Sequence, residues 1–234
     1  MFGFMPDYPP SPPSIPYAPS AVEVPRRLVD PALVSWATSK GYQINPFPSA
    51  AWYQGWGPFR YLFEIQGVGL ELICDFGEAD LWIVEAYDSG NIEYDKTGAF
   101  KYVGARHTLG FVTSPHLRAR GASWSRQDAD LKHELGKAFG SLFSGGQKQA
   151  SPLGDPRFES FYEVAVPSQQ EGVVAFTPSL RRLMVERQFR GVIEVRAGGM
   201  VIAPAAASMF DASGLERLVG VFGDLYGAAI NPSA

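Results

Sequence analysis

Few side chains in this sequence have the types and spacing that catalysis or metal binding requires. Three histidines are present, His107, His116 and His133, and their spacing from the single cysteine, Cys74, matches no zinc site. His133 is followed by Glu134, but the second histidine of a metalloprotease helix is missing. We therefore predict that the three histidines lie at the surface or at strand edges.

An acidic turn is the next candidate, because hard cations such as Ca²⁺ and Mg²⁺ bind several carboxylate oxygens. Asp75, Glu78 and Asp80 surround one predicted turn, yet their spacing is not that of a calcium loop. Nucleophile elbows, phosphate-binding loops and dinucleotide-binding glycine patterns are also missing from the sequence. We predict no catalytic, cofactor-binding or metal-binding residues, and a protein that is not an enzyme.

Aromatic residues concentrate within one ten-residue stretch and allow two interpretations. They could form a stacking platform for a sugar, a base or a proline-rich ligand. They could instead cover the edge of a sheet, which is favoured because predicted strands follow at once. The residues are Trp52, Tyr53, Trp56, Phe59 and Tyr61.

The first 25 residues form a proline-rich arm. Proline removes backbone donors and favours the extended polyproline conformation, so the arm is not expected to build its own helix or central strand. It nevertheless carries large apolar side chains of the kind that anchor a peptide in a groove. These predicted partner-binding residues are Phe2, Phe4, Met5, Tyr8, Ile15 and Tyr17.

Composition is that of an ordinary globular chain of 234 residues, 46% hydrophobic and 19% charged. The net charge of −4 supplies no overall basic field, so we predict no nucleic-acid partner. No apolar run is long enough to span a membrane, and the opening residues lack the pattern of a signal peptide. A lone cysteine in an apolar strand pattern fits a reducing compartment, and we expect a cytoplasmic location.

Periodicity predicts an α+β fold: antiparallel sheet packed with a few amphipathic helices, plus the extended proline-rich arm. A helix is predicted to begin at Asp30-Pro31 and end at Gly41, and another covers about 126–144. Strands are predicted over 60–66, 69–76 and 79–87, with two more within 99–124. The predicted organisation is an arm (1–25), an N-terminal α+β half (26–146), a linker (147–153) and a C-terminal α+β half (154–234).

The C-terminal half has the clearest pattern. Its sequence predicts a strand over 161–166, a helix begun by Thr177-Pro178, a hairpin that turns at Gly198-Gly199, and a final helix capped by Asp211. That last helix contains Gly214, Gly220, Gly223 and Gly227, which weaken a helix and predict close packing against a sheet.

The segments GDPRF and FTPSLRRLM, together with the hairpin and the closing helix, resemble a C-terminal domain of uncharacterised bacterial proteins. The resemblance covers about seventy residues and implies a fold and a bacterial origin, but no activity. Our leading hypothesis is a non-enzymatic structural or adaptor subunit of a larger bacterial assembly, with a protein partner or a second copy held through the arm. The alternative is a small-molecule or peptide-binding module that uses the aromatic stretch.

Overall fold

The computed structural model describes residues 29–48, 67–87, 91–94, 100–103, 106–127, 153–205 and 211–231. These residues form an antiparallel sheet of eight strands, a separate pair of strands, and helices packed on the large sheet. The α+β prediction is confirmed. The predicted strand over 60–66 lies outside the described residues, as does nearly all of the predicted helix over 126–144.

Five helices occur within the described ranges, and three of them begin with a proline behind a capping side chain. Asp30, Asp155 and Thr177 accept hydrogen bonds from backbone N–H groups of the first turn, which satisfies donors that have no partner inside the helix. The helices are α1 Pro31–Ser39, α2 Pro156–Phe161, α3 Gln169–Ala175, α4 Pro178–Glu186 and α5 Ala212–Ile230.

Ten strands are described. They are β1 Gln43–Asn45, β2 Gly67–Asp75, β3 Asp80–Tyr87, β4 Asn91–Tyr94, β5 Phe100–Val103, β6 Arg106–Thr113, β7 Gly121–Ser125, β8 Tyr162–Ala165, β9 Gly191–Arg196 and β10 Gly199–Pro204. The region 99–124 therefore holds three strands, β5 to β7, where the sequence predicted two. The large sheet has the order β1-β2-β3-β6-β10-β9-β7-β8, and β4 pairs only with β5.

Strands from the two predicted halves alternate within this one sheet. The hairpin β9–β10, from the C-terminal half, lies between β6 and β7, and β8 extends the sheet beyond β7. The β9–β10 hairpin is confirmed, but its turn is Ala197-Gly198, because Gly199 already pairs with Arg196. Gly198 has φ of 82°, the left-handed conformation that glycine adopts without steric cost.

The main core lies on one face of the sheet, and all five described helices contribute to it. Leu33 of α1, Phe158 of α2, Ala175 of α3, Leu180 of α4 and Phe222 of α5 are buried there. A second cluster occupies the opposite face and contains Trp82, Phe111 and Trp124 among its strand residues. Side chains of β3 alternate between the two clusters, with Leu81 and Ile83 in the main core and Trp82 and Val84 in the second, which explains the nearly continuous apolar run of this strand.

A close approach of α5 to the sheet occurs at Gly110 of β6. A Cβ built at Gly110 would lie 2.5 Å from Cδ2 of Phe222, so the aromatic ring occupies the space of the missing side chain. The glycines of α5 do not play this role: Gly220 and Gly227 have no other atoms within 4 Å of an added Cβ, and Gly223 meets only Phe76. The prediction of close packing against the sheet is therefore wrong for Gly220, Gly223 and Gly227, since the position without room for a side chain is Gly110 in the strand.

A hydrogen bond orients the far end of α5. The Tyr226 hydroxyl lies 2.7 Å from Ser114 Oγ in the interior, at the end of β6.

Among the described residues, no helix is both long enough and apolar enough to cross a membrane.

We predict opposite effects for two glycine substitutions. Gly110→Ala should lower the free energy of unfolding by about 1–3 kcal/mol, because the new methyl group overlaps the Phe222 ring. Gly220→Ala, exposed and unobstructed, should raise it by up to about 1 kcal/mol through helix propensity. Urea unfolding of both variants measures the two changes. A Gly110→Ala variant as stable as the unsubstituted chain would contradict the proposed contact.

Candidate functional site

A cleft between α2 and α4 brings several charged side chains together on a concave surface. Its volume is about 250 Å³. Four of its seven lining residues are charged and three are apolar: Asp155, Arg157, Phe158, Pro178, Arg181, Arg182 and Val185. Three arginines face one carboxylate, so the lining carries a net formal charge of +2.

Local sequence builds the α2 wall. Gly154 turns the chain with φ of 70°, and Asp155 then caps α2 by accepting from Phe158 N at 3.0 Å. Glu159 reaches back and accepts from Leu153 N at 3.0 Å and from Asp155 N at 3.3 Å. This reciprocal pattern resembles a capping box in which the glutamate stands one residue later than usual. It fixes the Asp155 carboxylate at the N-terminus of α2.

The α4 wall is fixed from two sides. Thr177 Oγ1 accepts from Leu180 N at 3.2 Å as the cap of α4, and donates to Ala228 O of α5 at 2.6 Å. The beginning of α4 is thereby attached to the end of α5. Pro178 and Val185 supply the apolar part of this wall.

Arg181 joins the two walls. Its Nε donates to Asp155 Oδ2 at 2.9 Å, and its Nη1 donates to the backbone oxygen of Phe176 at 2.9 Å. Arg181 is only 9% exposed, so its charge depends on these partners. Both oxygens of Asp155 are engaged, one by the α2 cap and one by Arg181. A side chain held in this way has little rotational freedom to lose when a ligand binds.

Arg157 and Arg182 are exposed and complete the cationic rim. Arg157 makes no ion pair with any residue that the structure describes. A guanidinium group carries parallel N–H donors that match the oxygens of carboxylates and phosphates. The cleft therefore presents guanidinium groups of the kind that bind oxyanions.

Both groups of binding residues predicted from the sequence lie outside the described residues. One is the arm group Phe2, Phe4, Met5, Tyr8, Ile15 and Tyr17, and the other is the aromatic group Trp52, Tyr53, Trp56, Phe59 and Tyr61. Both remain predictions. The cleft was not predicted, because the GDPRF and TPSLRRLM segments have the pattern of structural helix beginnings; the adjacent Arg181 and Arg182 were the available signal.

Two histidines fall within the described ranges. His107 is half-buried in β6, and His116 is exposed in the turn after β6, where its Nε2 lies 2.5 Å from Glu78 Oε2. Burial and the neighbouring Asp75 raise the pKa of Asp80 at the same turn. Within the described part of the chain no group of three or more histidine, cysteine or acidic residues is arranged to hold a metal ion. His133 lies outside it.

A buried carboxylate on the other face of the sheet forms an ion pair with a neighbouring arginine. Glu194 of β9 is 3% exposed, and its Oε1 accepts from Nε of Arg196, two residues along the same strand. Burial raises the pKa of Glu194, while Arg196 and Arg120 oppose that change.

Comparisons of the chain with protein-family models, with curated proteins and with solved structures found no match. The C-terminal resemblance remains a prediction, and the site must be interpreted from its own geometry.

We predict that Asp155 stabilises the fold through its charge as well as its cap. Asp155→Ala should lower the free energy of unfolding by about 2–3 kcal/mol, because it removes a helix cap and leaves Arg181 without its carboxylate partner. Asp155→Asn keeps the cap and should lower the free energy of unfolding by a smaller amount. The matched control is Asp224→Ala, which breaks an exposed pair with Arg187 and should cost less than about 1 kcal/mol. Equal losses for the two alanine variants in urea unfolding would refute the assignment.

We also predict that Cys74 is unreactive in the folded chain. The side chain is fully buried, and burial raises the pKa of its thiol to about 12. At pH 8 its thiolate fraction should be about a thousandfold below that of the unfolded chain. Because the folded pKa exceeds the ordinary value, the thiol contributes stability below pH 9, and this is lost as the pH rises toward 12.

Labelling with a chromogenic disulfide reagent at pH 8 measures this difference. The native chain should react only as fast as it unfolds, whereas a Val174→Cys variant, substituted at an exposed position of α3, should show one rapid equivalent. Rapid labelling of the unsubstituted chain would contradict the burial of Cys74.

Proposed function

We propose that this chain is a non-enzymatic structural or adaptor subunit of a larger bacterial protein assembly in the cytoplasm, held to its partner by the proline-rich arm. The observation that carries the proposal is the composition of residues 1–25. Eight of the chain's 19 prolines fall there, interleaved with six large apolar side chains. Extended proline-rich segments bind grooves with little entropic cost, because proline has already restricted the backbone.

The reach of the arm supports a contact with another chain. In the polyproline conformation 25 residues span about 78 Å. A compact body of the remaining residues has a radius of gyration of about 17 Å. An arm of this length can extend well beyond the surface of its own domain and reach the partner or a second copy.

Several buried hydroxyl groups in the described sheet and helices make structural hydrogen bonds, which also favours this function over catalysis. Tyr162 donates its hydroxyl hydrogen to the carbonyl oxygens of Met184 and Phe189, at 2.9 and 2.8 Å, and burial raises its pKa to about 12. Ser114 and Tyr226 bond to each other in the core. These groups hold secondary-structure elements together, so the described sheet and helices serve as a stable platform for the arm.

Deletion of residues 1–25 should abolish association while leaving the melting temperature of the domain nearly unchanged. A second variant should replace Phe2, Phe4, Met5, Tyr8, Ile15 and Tyr17 by serine and keep every proline, which separates the apolar anchors from the stiffness of the arm. Both variants, carrying a C-terminal affinity tag, are compared with the full chain by native mass of the purified particle and by thermal melting.

The full chain should be found above the 25.5 kDa of a monomer, and both variants at their monomer mass. A monomeric full chain would refute the assembly proposal. A truncated chain that melts markedly earlier yet still associates would show that the arm packs on its own domain.

A further inference from the structure

We propose that β8 accepts residues 1–5 of a second copy of this chain as an additional antiparallel strand. In this pairing Phe2 of the second copy stands opposite Val164, and its Met5 stands opposite Phe161. The pairing rests on the function proposed above, because it identifies the partner of the arm as a second copy and the edge of β8 as the surface that the arm binds.

The backbone of β8 has one side that faces away from the sheet. Among the described strands β8 is the last in the order, and it pairs only with β7. Arg126 N donates to Phe161 O at 2.9 Å, so Phe161 and every second residue after it direct their N–H and C=O groups toward β7. The N–H and C=O groups of Val164 and the C=O group of Tyr162 therefore point outward.

No described residue forms a hydrogen bond with these three outward groups. The N–H of Tyr162 is already used, because it donates to Phe158 O where α2 ends. A row of unpaired N–H and C=O groups at a sheet edge is a template for another strand. Charged side chains often protect such an edge, but β8 contains only Glu163, whose carboxylate is held by Arg126 at 3.2 Å.

A strand that fills this edge must supply two N–H groups and one C=O group at fixed positions. The neighbouring strands of the large sheet are antiparallel, and the added strand follows them. The residue opposite Val164 then provides an N–H and a C=O, and the residue two positions later donates to the Tyr162 carbonyl. Proline cannot occupy either donor position. Within the arm, runs of five residues without proline occur only at 1–5 and 20–24.

Residues 1–5 satisfy this pattern with an apolar segment. When Phe2 stands opposite Val164, Phe2 and Phe4 provide the two donors, and the pairing ends before Pro6. Met5 then stands opposite Phe161, which directly precedes β8 and is 43% exposed. Contact with Met5 would cover this exposed ring, and sulfur–aromatic contacts are favourable.

The run 20–24 fits the edge less well because of its charge. In every antiparallel register in which this run supplies both donors, Glu23 comes within two positions of Glu163. Like charges at such cross-strand positions are destabilising. Residues 1–5 carry no charged side chain, and they include three of the six predicted anchors of the arm.

The length of the arm allows the strand to come from a second copy. The described domain begins at Val29, and residues 6–28 separate it from the proposed strand. In the polyproline conformation these 23 residues span about 71 Å. Two copies that exchange arms fill both β8 edges, which gives the closed two-fold symmetry of most homo-oligomers. The expected particle is a dimer with twice the 25.5 kDa mass of the chain.

Disulfide cross-linking of two co-expressed, differently tagged full-length variants tests the pairing. One copy carries Met5→Cys and the other carries Phe161→Cys, at opposite positions of the proposed ladder, where Cβ atoms are about 4.5–5.5 Å apart. Mild oxidation should give a product that carries both tags. The matched control replaces Phe161→Cys by Val34→Cys, which is 42% exposed on α1 and should give little product. Equal cross-linking of the two acceptors would overturn the proposal, as would a Met5–Phe161 disulfide formed only within one chain.

A second pair of variants separates the backbone of β8 from its side chains. Val164→Pro removes the outward N–H and no donor of the β7 ladder, so it should raise the dissociation constant of the dimer at least about tenfold. Val164→Ala keeps the N–H and should change that constant by less than about threefold. Native mass over a concentration series measures association, and thermal melting verifies that both variants are folded.

The same measurements distinguish failure of this pairing from failure of the proposed function. If folded Val164→Pro associates as tightly as the unsubstituted chain while deletion of residues 1–25 gives a monomer, the arm binds elsewhere and only the β8 pairing is refuted. A monomeric full chain refutes both.

Discussion

The structure depends on how closely α5 lies against the sheet. Phe222 fits above Gly110 because no side chain stands there, and Tyr226 bonds to Ser114 at the end of the same strand. Burial of an aromatic side chain of this kind stabilises a fold by about 1.5–3 kcal/mol. The end of α5 then receives the hydrogen bond from Thr177, so the position of α5 also determines where α4 begins.

The cleft follows from this arrangement. With α4 attached to α5, Arg181 can reach both the Phe176 carbonyl and the Asp155 carboxylate, and the resulting bridge joins α4 to α2. Rigid elements with committed hydrogen bonds suit a binding site, because little ordering remains to be done when a ligand arrives. The sequence predicts the opposite arrangement for the proline-rich arm, whose backbone is expected to be restricted by proline and not by packing.

Predictions from the sequence were correct for helix caps, because the two groups that interact lie within one turn of the chain. Asp30, Thr177 and Asp211 cap helices as expected, since each side chain reaches an N–H two or three residues ahead. The six-residue helix α2 was missed because it is too short to show a period, although its cap is equally clear. Gly220, Gly223 and Gly227 of α5 were misinterpreted, because a sequence pattern does not reveal which of two packed elements provides the space.

The sequence by itself therefore determined the α+β class, the beginnings of α1, α4 and α5, the β9–β10 hairpin and the distinct composition of the arm. Only the tertiary structure decided that β9 and β10 separate β6 from β7, and that Arg181 meets a carboxylate 26 residues before it. Caps and turns are fixed by contacts between near neighbours, whose geometry the backbone imposes. Strand order and the cleft arise from contacts between distant residues, which are selected by the packing of the whole core.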